Sequence, residues 1–181
     1  MSETKRSPRE RAAQFVGALR RVRNDRGKLA ALRRGLTDNP RMHVDAWSVV
    51  AGLGGDIGQP AFVAIAALFA SHPEESNARN LGETCRRIAQ GDGKEIADSF
   101  ERRFRRLLAC DDVADVTGQL RSWIRLAASK GVGVNYESLI ADLLNWPWYA
   151  DEVRVKWARS FWQSGDFTPE TSAADLKPTT V

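Results

Sequence analysis

The chain has 181 residues, 43% of them hydrophobic, enough to bury a core as one domain or two small ones and too apolar for a disordered chain. Its formal net charge is only +4, but the charge is segregated, which matters more than the total for attracting a polyanion. No apolar run approaches the roughly 18 residues of a bilayer span, and the polar, basic start at residues 1–11 lacks the apolar centre of a secretory signal.

The elements follow in order. Ser7-Pro8-Arg9-Glu10 has the pattern of a capping box with proline in the first turn, so a helix is expected from there to about Asn24. Its inward stripe is Ala12, Phe15, Leu19 and Val22. Asp25 suits the next cap, before a helix with Leu29, Leu32 and Leu36 inward that ends at Gly35 and the polar run Thr37-Asp38-Asn39-Pro40. Residues 44–53 read as a short helix carrying Trp47, stopped by Gly52, Gly54 and Gly55. Pro60 begins a helix to Ser71 that is apolar all round, the pattern of a buried central helix. Residues 72–77 form a connector, and residues 78–90 an amphipathic helix with Leu81, Cys85, Ile88 and Ala89 inward.

Gly91-Asp92-Gly93 divides the chain into two expected helical sub-bundles, 1–92 and 93–164. In the second, a helix from about Lys94 to Cys110 puts Phe100, Phe104, Leu107 and Leu108 on one stripe. Arg102, Arg105 and Arg106 fall on the opposite half, with Arg103 at the border. Asp111 or Asp112 caps a helix over 113–129, with Val116, Leu120, Trp123, Ile124 and Ala127 inward. A connector at 130–135 leads to a helix over 136–145, a break at Trp146-Pro147-Trp148, and a last helix over 151–163. Residues 165–181 are polar and aperiodic, as in a flexible tail. No segment alternates with period two, so the expected class is all-α, with eight to nine helices and no sheet. Trp47, Trp123 and Trp157 lie on apolar stripes and read as core, whereas Trp146, Trp148 and Trp162 read as more open and suited to a partner interface.

Catalytic signatures are weak. His43 and His72 have no His, Cys or acid at ligand spacing and read as solvated. Glu74-Glu75 and Asp111-Asp112 sit where helices are expected to start, and the helix dipole accounts for acids there. Gly52-Leu53-Gly54-Gly55-Asp56-Ile57-Gly58 has Ile57 where the dinucleotide fingerprint needs glycine. Cys85 and Cys110 show no metal spacing and read as reduced thiols of a cytoplasmic protein. No enzyme, cofactor or metal is expected.

What remains is cationic. Residues 1–35 hold eleven Lys/Arg against three acids, and residues 100–130 hold seven against four, while the rest is net negative. The first region offers Arg20, Arg23, Arg26, Lys28, Arg33 and Arg34. The second offers Arg102, Arg103, Arg105, Arg106, Arg121, Arg125 and Lys130. Arginine suits bidentate contacts to phosphate. A solvated charged face would need acids interleaved one turn away; Glu101 can serve Arg105 and Asp98 can serve Arg102, yet both regions stay net positive. Broad Arg faces fit a backbone-following grip on a single strand. The helix pair 113–129 and 136–145 is a poor helix-turn-helix, since its six-residue connector is long and its second helix is acidic. A double-strand DNA-binding regulator and a purely structural protein–protein bundle are the alternatives.

Four stretches, in order, carry a resemblance. Arg26-Gly27-Lys28-Leu29-Ala30-Ala31-Leu32-Arg33-Arg34-Gly35 resembles an early signature of the CasB family, the small subunit of the type I-E CRISPR Cascade surveillance complex. Ser99-Phe100-Glu101-Arg102-Arg103-Phe104-Arg105-Arg106-Leu107-Leu108 resembles its second signature. Leu126-Ala127-Ala128-Ser129-Lys130-Gly131-Val132-Gly133-Val134-Asn135-Tyr136-Glu137-Ser138-Leu139 is similar to its third element, and Trp157-Ala158-Arg159-Ser160-Phe161-Trp162 to its closing one. The likeness spans roughly residues 8–163, apart from the loops at 52–60 and 72–80. It implies an all-helical, non-catalytic subunit of two packed sub-bundles. It implies as partners the guide RNA, the target and displaced DNA strands, the backbone and large Cascade subunits, and a second copy of the chain. In such a complex the guide reads sequence by base pairing. By the same resemblance Arg26, Arg33, Arg34, Arg102, Arg103 and Arg106 are strand-contacting positions, and Arg159 is structural.

Overall fold

Ser7 opens the first helix as its sequence requires. Its hydroxyl accepts from the Glu10 amide at 3.2 Å, and the Glu10 carboxylate accepts from the Ser7 amide at 2.8 Å. A computed structural model describes residues 7–36, 43–91, 93 and 95–163. Its helices are α1 (Pro8–Arg21), α2 (Arg26–Arg33), α3 (His43–Gly52), α4 (Pro60–Ser71), α5 (Leu81–Gln90), α6 (Asp98–Leu108), α7 (Val113–Lys130) and α8 (Tyr136–Trp162), with a 3-10 turn at Arg34–Leu36 after α2. The described residues contain one isolated bridge, Glu75 to Val134, and no strand, so the all-α expectation holds. Thr37-Asp38-Asn39-Pro40, Asp92 and the segment 165–181 lie outside the described residues.

Local chemistry sets the boundaries. Asp25 caps α2 by accepting from the Lys28 amide at 3.0 Å, and α1 ends at Arg21, short of Asn24, so that Asp25 can turn the chain. Asn80 caps α5, which therefore starts at Leu81 rather than at 78. Asp112 caps α7, and Gly131 ends it in the left-handed region, with φ +65°.

The core is continuous. All ten residues from 61 to 70 of α4 are buried, α2, α3, α7 and α8 pack around it, and Phe15 of α1 meets Phe62 edge-on at 4.9 Å. Buried side chains of all eight helices, or partners packed on them, belong to one cluster. The connectors at 72–80 and 131–135 are stitched together. The Val134 amide donates to the Glu74 carbonyl at 2.9 Å, and the Ser76 amide to the Val134 carbonyl at 3.2 Å. The Tyr136 hydroxyl donates to the His72 carbonyl at 2.6 Å. His72, expected in solvent, is buried there with its ring nitrogen 2.8 Å from the Val132 carbonyl oxygen.

Helix α8 bears out one expectation and corrects another. The expected break is there, one residue later than Trp146-Pro147-Trp148: the chain stays helical through Pro147 and leaves helical geometry at Tyr149, with φ −134° and ψ 35°. Proline removes one backbone bond and crowds the turn before it, and two residues later a kink separates the two helical halves of α8. Both halves stay on one core because Trp146 is only 1% exposed, tilted against Trp157 at 5.4 Å, and donates its indole N–H to the Asp111 carbonyl at 3.2 Å. Trp47 shows the reverse: Ala46 and Val50 make the buried stripe of α3, and Trp47 is 37% exposed.

Candidate nucleic-acid interface

Helix α6 divides as its periodicity predicts. Phe104 and Leu107 are fully buried, and Phe100 and Leu108 pack on the same cluster from its margin. Phe104 stacks on Phe161 at 3.9 Å between centroids and meets Trp123 and Trp162 edge-on. This anchoring fixes the opposite face, where Arg102, Arg105 and Arg106 are exposed and Arg103 is half-buried. Among the described residues Arg102, Arg103 and Arg106 have no acidic partner; Asp98 does not pair with Arg102. Arg105 reaches Glu101 at 3.4 Å, an exposed pair of little worth. Lys130, at the end of α7, extends this surface with its ammonium 5.3 Å from the centre of the Phe100 ring.

The first cationic region is arranged differently. Arg20 is clasped by Glu75, with Nε to Oε1 at 2.9 Å and Nη2 to Oε2 at 2.7 Å, and by Glu137 at 2.7 Å. The Glu75 and Glu137 carboxylates raise the Arg20 guanidinium above its already high pKa, outweighing partial burial. Arg23 pairs with Glu74 at 2.8 Å, Lys28 with Asp25 at 3.4 Å, and Arg34 with Asp45. Arg33 donates to the Ala70 carbonyl at 2.8 Å, closing the C-terminal end of α4. Arg26 is exposed and has no acidic partner among the described residues.

Glu74 and Glu75 are therefore not helix-start acids, since α5 begins at Leu81. The stitched connectors hold them against α1 as counter-ions. Their partners lie 51 and 55 positions away, so nothing within a turn or two of the arginines signals the pairing.

Arg121 and Arg125 separate from the α6 face. They line a cleft of about 200 Å³ with Leu36, Leu68, Ser71 and Ala128, beside the Ala70 carbonyl that Arg33 caps. The second sequence cluster thus splits between two surfaces. Arg159 lies in a larger hollow of about 630 Å³ between the start of α5 and the second half of α8, with Arg79, Asn80, Lys156 and Ser160. Trp148 is 75% exposed at the α8 bend, as expected from its position.

Cys85 is fully buried, and desolvation pushes its thiol well above the ordinary range, which leaves it a poor nucleophile. The described residues hold no group of three or more His, Cys, Asp or Glu side chains placed to bind a metal. No described helix is long and apolar enough to cross a membrane.

Comparison with known proteins finds relatives of this fold. The family model for CRISPR-associated protein Cse2 matches residues 28–162. A Cse2-family CRISPR-associated protein from Thermus thermophilus is 28% identical and superposes with a TM-score of 0.70, over 88% of this chain and 100% of its own. A chain from a CRISPR RNA-guided surveillance complex is 27% identical, with a TM-score of 0.69, over 85% of this chain and 92% of its own. CasB from M. ruber is 25% identical, with a TM-score of 0.66, over 84% and 92%. No curated protein matches in sequence.

Proposed function

The chain belongs to the CRISPR-associated Cse2 family, and on that premise we propose that it is a non-catalytic subunit of a CRISPR RNA-guided surveillance complex. In that complex it grips nucleic-acid backbone, steadying the guide–target hybrid and the displaced strand while base pairing by the guide supplies the specificity. The backbone and large subunits and a second copy of the chain are its protein partners. One observation carries the backbone-gripping role: Arg102, Arg103 and Arg106 stand, without acidic partners among the described residues, on a helix anchored by buried Phe104 and Leu107. Cations already neutralised within the fold gain little from a phosphate, and unpaired ones release the counter-ions that drive binding. The α6 face, with Lys130, is therefore the principal contact. Arg121 and Arg125 line a second, smaller cleft with Leu36 and Ser71, and Arg26 is a separate exposed cation at the start of α2.

The regulator reading fits less well. The start of α8 would have to enter a groove, but Glu137 is tied to Arg20 and Leu139 and Ile140 are buried.

Affinity purification from the native host tests the assignment: a guide RNA of uniform length co-purifies with the chain. For isolated strands, contact with about six phosphates gives a slope of about −4 for log affinity against log salt, with little base-sequence preference. A salt-independent affinity, or none for any strand alone or in the complex, overturns the backbone-gripping role. Charge reversal at Arg102 and Arg106 that breaks assembly while sparing strand affinity assigns the face to an acidic protein partner instead.

A further inference from the structure

The end of α8 brings an exposed tryptophan to the arginine row of α6. Trp162 stands edge-on to Phe104 and to Phe161, each at 5.3 Å between ring centres, so two buried rings hold the indole upright. It is nonetheless 38% exposed. The guanidinium of Arg105 lies 5.4 Å from the indole centre, and its side chain is 67% exposed. Arg102 and Arg106, unpaired by acids among the described residues, occupy the same half of α6, within one turn of Arg105.

We propose that Trp162 and Arg105 form a stacking platform for one unpaired base of a strand whose phosphates are held by Arg102 and Arg106. The inference rests on the backbone-gripping role and adds a contact to the base itself. Three properties point to a base as the occupant. A fixed, half-exposed indole loses little side-chain entropy on stacking, because its packing on Phe104 and Phe161 has already ordered it. A guanidinium plane beside the ring adds a second flat cationic surface, suited to π-faces of any sequence. The neighbouring unpaired arginines supply positive charge where a base stacked there would carry its sugar and phosphate. Trp148 is more exposed but has no cation stacked on its ring, so the combination is particular to Trp162 among the exposed tryptophans described.

The test compares a thymidine oligonucleotide with an abasic backbone of equal length, bound to the full chain. The intact protein binds the thymidine strand about tenfold more tightly, the worth of one stacked base. Trp162→Leu abolishes that margin and leaves abasic affinity unchanged, while Trp148→Leu retains the margin. Arg105→Lys keeps the charge but loses the plane, so it narrows the margin without changing the salt slope. That exposed substitution carries the test if Trp162→Leu lowers the helical circular dichroism. Equal affinity for the two strands in the intact protein, with salt dependence preserved, overturns the platform and leaves the backbone-gripping role standing. Failure to bind either strand overturns both. A margin that survives Trp162→Leu while assembly into the complex is lost gives the ring to a protein partner and overturns the platform.

Discussion

Gly82 of α5 lies directly against the backbone of Trp157 in α8. A Cβ at Gly82 would stand 2.7 Å from the Trp157 carbonyl carbon and 2.8 Å from its Cα, inside van der Waals contact. The two helices are held at this separation by Arg86, which donates to the Phe161 carbonyl at 3.0 Å, and by Asn80, which donates to the Ser160 hydroxyl at 2.8 Å. Backbone cannot rotate out of the way as a side chain can. Gly82→Ala is therefore expected to cost about 3 kcal/mol, the upper part of the overpacking range, despite a gain in helix propensity. Urea denaturation measures it; a loss below about 0.5 kcal/mol would mean that α5 and α8 separate freely.

The arginines divide into two sets with opposite expected signatures. Arg20→Ala removes a fork on Glu75 and a contact to Glu137, all partly exposed, and should cost about 0.5–1 kcal/mol of stability with little change in strand affinity. Arg102→Ala and Arg106→Ala should leave stability within about 0.5 kcal/mol and weaken strand binding. Each lost phosphate contact should flatten the salt slope by about 0.7. Urea midpoints and strand titrations at several salt concentrations separate the sets. Unfolding by the Arg106 change, or equal strand loss in both sets, contradicts the division.

What the sequence disclosed and what it hid follow from the reach of each interaction. Ser7, Asp25 and Asp112 cap through bonds to amides three residues on, so their chemistry is written locally. The stripe of α6 likewise needs only the helical period, and it placed Phe104 and Leu107 correctly. The neutralisation of Arg20 and Arg23 depends on two connectors meeting across more than fifty residues, and no local window contains both partners. Trp47 and Trp146 exchange places for a related reason. Periodicity says that a stripe exists but not which partner it meets, and Trp146 is drawn inward by Trp157 and by the Asp111 carbonyl. The closeness of Trp162 to Arg105 was hidden in the same way, since α6 and the end of α8 are separated by all of α7.

A buried acid predicts a pH dependence. The Asp142 carboxyl accepts the Trp157 indole N–H at 2.7 Å and pairs with Lys156. Burial pushes its pKa above the ordinary 3.8, with Lys156 and then Trp157 pulling it back. The folded state then holds the proton more tightly than the unfolded state. The resulting stability is complete below about pH 3.8 and is lost as pH rises through the folded pKa. Asp142→Asn cannot ionise and keeps an oxygen for Trp157. The wild type should lose stability relative to Asp142→Asn between about pH 4 and neutrality, measured as urea midpoints across that range. Asp142→Ala leaves the indole without its acceptor and should cost about 1–3 kcal/mol. A wild type that gains on Asp142→Asn as pH rises would show that Lys156 outweighs burial.

Phe104 tests whether the arginine face depends on the core beneath it. The ring is fully buried, stacked on Phe161 with an interplanar angle of 11°, and edge-on to Trp123 and Trp162. Phe104→Ala should cost about 3–5 kcal/mol, from lost transfer energy and the cavity left between α6, α7 and α8. A double-mutant cycle with Phe161→Leu should give a coupling of about 0.5–1.5 kcal/mol, the range for paired rings. Because Arg102 and Arg106 touch solvent on the far side of α6, affinity for an abasic strand, which does not use the Trp162 ring that Phe104 supports, should fall only as far as the folded fraction falls. Abasic-strand affinity lost well before global unfolding would mean that α6 detaches first, with Phe104 acting as the pin that holds the cationic face in place.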